Sequence, residues 1–266
     1  MIKELLATEQ RTTIERWCRD RARAVLTPSG ETICRVLGEL TMVVRLNDLS
    51  IAPHLALDGY WEMWLSMCMA KRIKPGWCCL DVGANFGYYT LLMATLTGEK
   101  VFAWEPMVEL SIMLESSARL SSLEHLVQTV PFAASDDASS RTIFRERNDW
   151  GGASIPPSSS TPKGEGRAVT CSRLDAFENR IDFIKIDTNG HEPETWAGMK
   201  GILARGEPKA MLMEWTPHLY ANPGEFLDEI RGQGFRVHLV DGAGELQDPV
   251  GDITTIEGHL DLWLDR

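Results

Sequence analysis

A short apolar run that ends in an acid and passes at once through a glycine turn into a helical pattern constrains this chain more than any other feature. It reads Cys79-Leu80-Asp81-Val82-Gly83-Ala84-Asn85-Phe86-Gly87-Tyr88-Tyr89-Thr90. A brief apolar strand with a helix directly behind it opens a β-α unit whose strand is covered on both faces. The alternation then continues. Helical spacing over 88–97 gives way to a strand at 101–104, a helix over 108–121 and a strand over 127–134. After a break come a strand at 183–186, a helix over 192–204, a strand at 210–214, a helix over 224–233, a strand at 236–240 and a closing strand at 259–264. This order predicts an α/β fold, one doubly wound and mostly parallel sheet with helices on both faces. A chain of 266 residues that is 44% hydrophobic can bury the core such a sheet needs.

Two stretches fall outside the alternation. Residues 2–26 mix Leu5, Leu6, Ile14, Trp17 and Val25 with charges at near-helical spacing, which predicts an N-terminal helix ended by Pro28-Ser29-Gly30. Thr32 to Leu57 is rich in Val, Ile, Leu and Thr and suits one or two short strands, and 61–73 is helical again up to Lys74-Pro75-Gly76. Residues 1–75 are therefore expected as a helical and hairpin extension capping the site of the main domain, 76–266. Within that domain 135–172 does not alternate, and Pro156 to Gly166 is too rich in Pro, Ser and Gly for a core element. It is expected as a mobile loop at the tip of a hairpin inserted at about 140–172.

Charge narrows the partners. With 27 basic and 38 acidic residues, the net charge of −11 opposes a phosphodiester backbone, and no Lys/Arg run interrupts it. A small-molecule substrate is expected rather than nucleic acid. No stretch of about 18 apolar residues suggests a membrane span, and charges scatter through the first 25 positions, which points to a cytoplasmic protein. The six cysteines show no C-x-x-C spacing, so neither a zinc site nor a disulfide framework is indicated.

In open α/β sheets ligands sit outside the carboxyl ends of the strands. At the first such end Gly83, Ala84 and Gly87 let a ligand approach the backbone, the helix beginning at Tyr88 and running through Thr90 supplies free N–H donors, and Asp81 and Asn85 add polar side chains. A nicotinamide dinucleotide would call for G-x-G-x-x-G, but Asn85 takes the middle place. An acid beside backbone amides suits instead the methionine end of S-adenosylmethionine (SAM), with its ammonium and carboxylate. Eighteen residues past Gly87, Pro106 stops the second strand and leaves Glu105 at the edge, where it can accept both ribose hydroxyls. The third strand ends at Ala133-Ala134, where backbone groups would lie along an adenine ring.

The fourth strand delivers Asp187, followed by Thr188-Asn189-Gly190-His191-Glu192. His191 has the intrinsic pKa to take a proton from a hydroxyl, although a histidine at a helix start can equally be a cap, and Glu192 suits the positive end of the helix. The fifth strand ends at Glu214, with His218 just beyond. Asp187 and Glu214 close together would raise one pKa and make a base, or hold a divalent cation; no compact ligand spacing is visible, and no metal is expected. Tyr60, Trp61, Trp150 and Trp215 flank these motifs as candidate walls of an acceptor pocket, while tryptophan is as often core.

With these residues in view, the chain resembles the FkbM family of SAM-dependent methyltransferases from about Asp58 to Val240. The likeness is carried by Gly59-Tyr60-Trp61-Glu62, by Asp81 through Thr90, by Glu105-Pro106, and by Ile184-Lys185-Ile186-Asp187 with Gly190-His191-Glu192 and Gly198. It implies a Rossmann-like fold of seven strands, bound SAM with Glu62 among the cofactor contacts, and O-methylation of a sugar or secondary-metabolite hydroxyl. The family commonly has Val-Glu where this chain has Thr188-Asn189, so a carboxylate is missing beside the expected active site. The competing readings are a SAM-binding protein that cleaves, cyclises or senses SAM, and an NAD-dependent dehydrogenase. The N-terminal helix offers a surface for a homodimer.

Overall fold

The computed structural model describes residues 1–156 and 163–266, so that most of the Ser/Pro-rich segment expected as a mobile loop lies outside the described residues. The N-terminal extension comprises α1 (Ile2–Thr8), α2 (Arg11–Arg21), an antiparallel sheet of β1 (Ala24–Leu26), β2 (Thr32–Val36) and β3 (Leu40–Val44), then α3 (Ala52–Leu57) and α4 (Met63–Arg72). The one helix expected over 2–26 is therefore two helices and a strand. In a continuous helix turning about 100° per residue, Ile14 and Cys18 would point roughly 120° away from Ile2 and Leu6. All four are fully buried in one core. Extended backbone at Glu9 and Gln10 redirects the second helix so that both apolar pairs face that core. The stretch after β3 also differs from expectation. The Asp48 carboxylate accepts the N–H groups of Ile51 and Ala52 at 2.8 and 2.6 Å and starts α3, whose first turn tolerates Pro53.

The main domain runs β4 (Cys79–Val82), α5 (Tyr88–Thr97), β5 (Val101–Trp104), α6 (Val108–Leu120), β6 (Val127–Val130), β7 (Ala133–Ala134), β8 (Ser140–Arg145), β9 (Glu165–Ser172), β10 (Phe183–Ile186), α7 (Glu192–Ala197), α8 (Lys200–Ala204), β11 (Ala210–Trp215), α9 (Pro223–Gly232), β12 (Arg236–Val240), β13 (Leu246–Gln247) and β14 (Leu260–Asp265). Its sheet has the order β13-β12-β14-β11-β10-β4-β5-β6. Strands β6, β5, β4, β10 and β11 are mutually parallel, and β14 inserts antiparallel between β11 and β12. This is the doubly wound, mostly parallel sheet expected from the sequence, with the two-residue β13 added as an eighth strand at one edge. The strand expected over 127–134 is split at Pro131, which has no N–H to give a ladder. Its second part, β7, pairs instead with β9, and β9 with β8, so the insertion is a small sheet of its own.

Side chains of the central strands alternate between two cores. Cys79, Phe183 and Leu212 face the α4 and α5 side, while Leu80, Val82, Ile184, Ile186, Met211 and Met213 face the other side with Trp196. On the first face, this period of two also places Asp81, Lys185 and Glu214 near the carboxyl edge. Register puts Lys185 beside Asp81 and Glu214 beside Asp261.

The helix expected over 192–204 breaks at Gly198, which sits against the backbone at the start of the insertion: a β-carbon there would lie 1.9 Å from the Ser135 carbonyl oxygen. Gly198→Ala should lower stability by about 1–3 kcal/mol through overpacking against main chain that cannot swing aside. Urea denaturation measures this, and an unchanged midpoint would show that the Ser135 backbone yields.

Candidate active site

The turns that follow β4 and β10 touch. Gly83 has φ +79°, and a β-carbon on it would fall 1.8 Å from the Asp187 carbonyl oxygen, so only glycine fits between the two strand ends. Above them a cleft encloses about 890 Å³ of non-atom space, its open mouth included. Gly83, Ala84, Asn85, Phe86 and Tyr88 form one side and Asp187, Thr188 and Asn189 another; Glu105, Pro106, Ala133 and Ala134 continue along the β5 and β7 ends. Trp61 and Ile51 of the N-terminal extension, and Trp150 to Ile155 of the insertion, close it from above.

Glu105 is 5% exposed, and each carboxylate oxygen accepts one backbone N–H, from Asn85 at 2.9 Å and from Met107 at 2.8 Å. Burial pushes its pKa up to about 7 against those two hydrogen bonds. Each oxygen keeps a further lone pair, so the group can still accept hydroxyl donors from a ligand in the cleft. A glycine turn whose β-carbons would collide with its surroundings, next to an acid with spare acceptor capacity, fits a ribose and a small zwitterionic tail.

At the opposite side Lys185, 3% exposed, donates to Asp187 Oδ2 at 3.0 Å and lies 4.0 Å from Asp81 Oδ1 and 4.9 Å from the centre of the Tyr89 ring. Burial works against its charge, but Asp187 and Asp81 together hold its pKa above the ordinary lysine value. Lys185 and Asp187 also line a second, smaller cavity with Glu62, Leu65, Leu212, Glu214 and Asp261. Burial, followed by the charges of Asp187 and Glu192, pushes Glu214 up to about 9; burial with Asp261 and Asp187 pushes Glu62 up to about 7. One lysine cannot balance so many acids, so these carboxyls hold their protons to higher pH than an ordinary glutamate. Among the described residues no group of three or more His, Cys, Asp or Glu is arranged to hold a metal ion.

Glu192 is fully buried and belongs to the architecture of the β10 turn. It accepts Thr188 N–H at 2.8 Å, Thr188 Oγ1 at 2.9 Å, Gly190 N–H at 3.0 Å and Tyr220 O–H at 3.0 Å. His191 lines the cleft beside Ala133 and Ala134, with its Nε2 in a 3.0 Å hydrogen bond to Ser135 Oγ. Burial, then the Arg141 charge, lowers its pKa to about 4. It therefore stands on the Ala133–Ala134 side of the cleft, the end expected for adenine.

Several other expected site residues lie elsewhere. Asp81 is fully buried beneath the turn, receiving Thr90 Oγ1 at 2.5 Å, so this pair supports Lys185 and does not line the cleft. Strand parity is the cause: two residues before Gly83, the side chain points toward α5. Gly87 packs against Leu114 behind the turn, and Glu62 faces the second cavity, where it accepts Tyr89 O–H at 2.6 Å. Tyr60 lies under Arg19 on the outer face of the extension. Trp215, one residue past Glu214, points to the opposite face; it is fully buried, stacks on Phe226 and donates to the Ile253 carbonyl at 2.8 Å. His218 is exposed on the short 3-10 turn Pro217–Leu219 beyond. Trp61 and Trp150 do line the cleft, and Glu214 the second cavity. Sequence reasoning gave Lys185 no chemistry, noted Asn189 only as a missing carboxylate, and passed over Asp261. A lone lysine inside the apolar run Phe183–Ile186 was the available signal for the first; Asp261 comes from a distant strand and gave none.

The family model described as the methyltransferase FkbM domain matches residues 81–237, more than half of the chain. No curated protein matches the sequence. Among solved structures, the chain is similar to a methyltransferase FkbM from Methylobacillus flagellatus KT, with 14% identity, 73% of this chain and 44% of that one covered, and a TM-score of 0.48. It is also similar to TrmN from Thermus thermophilus (15% identity, 80% and 52% covered, TM-score 0.46) and to a Streptococcus mutans protein solved in complex with SAH (12% identity, 77% and 94% covered, TM-score 0.42). The chain spans about half the length of the first two.

The four donors around Glu192 predict that Glu192→Gln is destabilising, because an amide NH₂ would face N–H and O–H groups that need an acceptor. A loss of roughly 1–3 kcal/mol in chemical denaturation is expected; a neutral substitution would mean that the turn does not depend on this carboxyl.

Proposed function

The chain belongs to the FkbM methyltransferase family, and we propose that it moves the methyl group of SAM onto a hydroxyl of a small molecule. The observation that carries this reading is the presence, in one cleft, of a buried acid at the β5 end and an ion-paired acid at the β10 end, with the close-packed glycine turn between them. In this reading Glu105 accepts the ribose hydroxyls, Ala133, Ala134 and His191 flank the adenine, and the backbone of Gly83 to Asn85 receives the methionine end. SAM supplies an electrophilic methyl carbon on a sulfonium. The acceptor oxygen forms a bond to that carbon, the carbon–sulfur electron pair stays on sulfur, and the hydroxyl proton passes to a carboxylate.

Asp187 is the proton acceptor that fits best. It lies at the edge of both cavities and is oriented by Lys185 at 3.0 Å. Glu214, pushed up to about 9, carries its proton at neutral pH and serves as a hydrogen-bond donor to the acceptor molecule. Residues 1–75 act as a cap through Ile51 and Trp61. A net charge of −11 favours a small acceptor over nucleic acid, and six free cysteines suit a reducing cytoplasm.

Isothermal titration should detect binding of SAM and of S-adenosylhomocysteine (SAH); a folded protein that takes up neither would sink the proposal. A ribose hydroxyl donates to the ionised form of Glu105, whose pKa is about 7 without ligand. SAH affinity should therefore rise as pH climbs through 7 and level off above, falling by up to about tenfold per unit on the acid side. Glu105→Gln should weaken binding at pH 8 and flatten the profile. Asp187→Asn should cut kcat by about 100-fold or more while SAH affinity stays within about threefold, as a base removed from the chemical step requires.

A further inference from the structure

The roof of the cleft belongs to the insertion, and two asparagines that rise from the strand-end turns hold it down. Trp150, Gly151 and Ala153 line the cleft from above. On the outer side Asp48 Oδ1 accepts the Trp150 N–H at 3.1 Å, and Ser50 Oγ accepts the Gly151 N–H at 3.2 Å. On the inner side Asn85 Nδ2 donates to the Trp150 carbonyl at 3.1 Å, while Asn189 Nδ2 donates to the carbonyls of Gly151 at 3.0 Å and Ala153 at 3.2 Å. Asn85 and Asn189 both have left-handed backbone, φ +51° and +53°, a conformation that asparagine tolerates and that turns the side chain out of the strand line toward the roof. Both bonds of Asn189 run from its NH₂ group to carbonyl oxygens, so the amide has one workable orientation.

This geometry gives a meaning to an amide at 189, where the family resemblance leads one to expect a carboxylate. A carboxylate at 189 has no hydrogen to donate and would face two carbonyl oxygens; an amide supplies a donor to each. We propose that Asn189 is a positioning residue that fastens the roof over SAM, so that release of the cofactor requires its two hydrogen bonds to break. The inference rests on the reading that SAM occupies this cleft. The roof spans from the turn that receives the methionine end to a point two residues past Asp187, over the site of methyl transfer. Water is thereby excluded from the sulfonium while the roof is down.

Two substitutions isolate the effect. Asn189→Asp keeps the shape and tolerates the left-handed backbone but removes the donors; Asn189→Gly tolerates that backbone and removes the side chain. Hydrogen exchange on the free protein should show faster exchange at the Trp150 and Gly151 amides in both variants, and stopped-flow displacement should show SAH leaving at least about tenfold faster. The unfolding midpoint should move little, which separates roof fastening from a general loss of structure. If Asn189→Asp exchanges and releases SAH at wild-type rates, the clamp is refuted although SAH binding by the wild type upholds the SAM reading. If exchange quickens but the wild type binds no SAH, the roof contact stands, while the cofactor reading fails and takes with it the role in cofactor release.

Discussion

A single buried cation organises the centre of the sheet. Lys185 sits on a strand whose every residue is buried, and an unpaired ammonium there would lose its hydration with nothing in exchange. Its partners come from two places. Asp81, in register on the neighbouring strand, is fully buried, and its Oδ1 has no hydrogen-bond partner among the described residues but faces the ammonium 4.0 Å away. Asp187, just past the end of the same strand, reaches back to it at 3.0 Å. The register of β4 against β10 is thereby tied to an electrostatic requirement as well as to apolar packing, since a slip of one residue would carry Lys185 to the opposite core. That register also brings Gly83 against the Asp187 carbonyl and so shapes the floor of the cleft.

The same cation limits what the nearby acids can do. Asp81 and Asp187 already share its charge. Glu62 and Glu214, and to a lesser degree Asp261, enter a region with little positive potential left to stabilise them, and burial keeps them protonated to higher pH. The second cavity consequently presents carboxyl groups that donate as well as accept hydrogen bonds.

Most of the sheet was legible in the sequence, because short apolar runs bounded by Gly and Pro mark buried strands. The ranges 88–97, 101–104, 183–186 and 236–240 coincide with α5, β5, β10 and β12. The misses have physical causes. A two-residue strand such as β13 carries no period, and β7 owes its place to pairing with β9, about forty residues away, which no local pattern encodes. In the site, residues whose backbone forms the strand ends, such as Gly83, Ala84, Asn85, Glu105 and Ala133, could be placed from spacing alone. Side chains were harder, because their direction depends on strand parity: Asp81 and Trp215 stand at strand ends, yet both point into a core. Lys185 alternates with the apolar positions of its strand, but its meaning lies in Asp81, a partner brought beside it only by the parallel pairing.

The turn after β10 shows why an amide at 189 and a carboxylate at 192 are suited to their separate tasks. Glu192 faces inward, where two backbone N–H groups and two hydroxyls supply donors, so burial of its carboxyl is compensated. Asn189 faces outward, where its NH₂ group donates to two carbonyls of the insertion. A carboxylate at 189 would turn its oxygens toward the Gly151 and Ala153 carbonyls that the amide now satisfies. The amide removes that charge and supplies the hydrogens. The carboxylate missing from the expected motif is thus consistent with the roof that lies over it: where the insertion packs its carbonyls onto the turn, hydrogen-bond chemistry favours the amide.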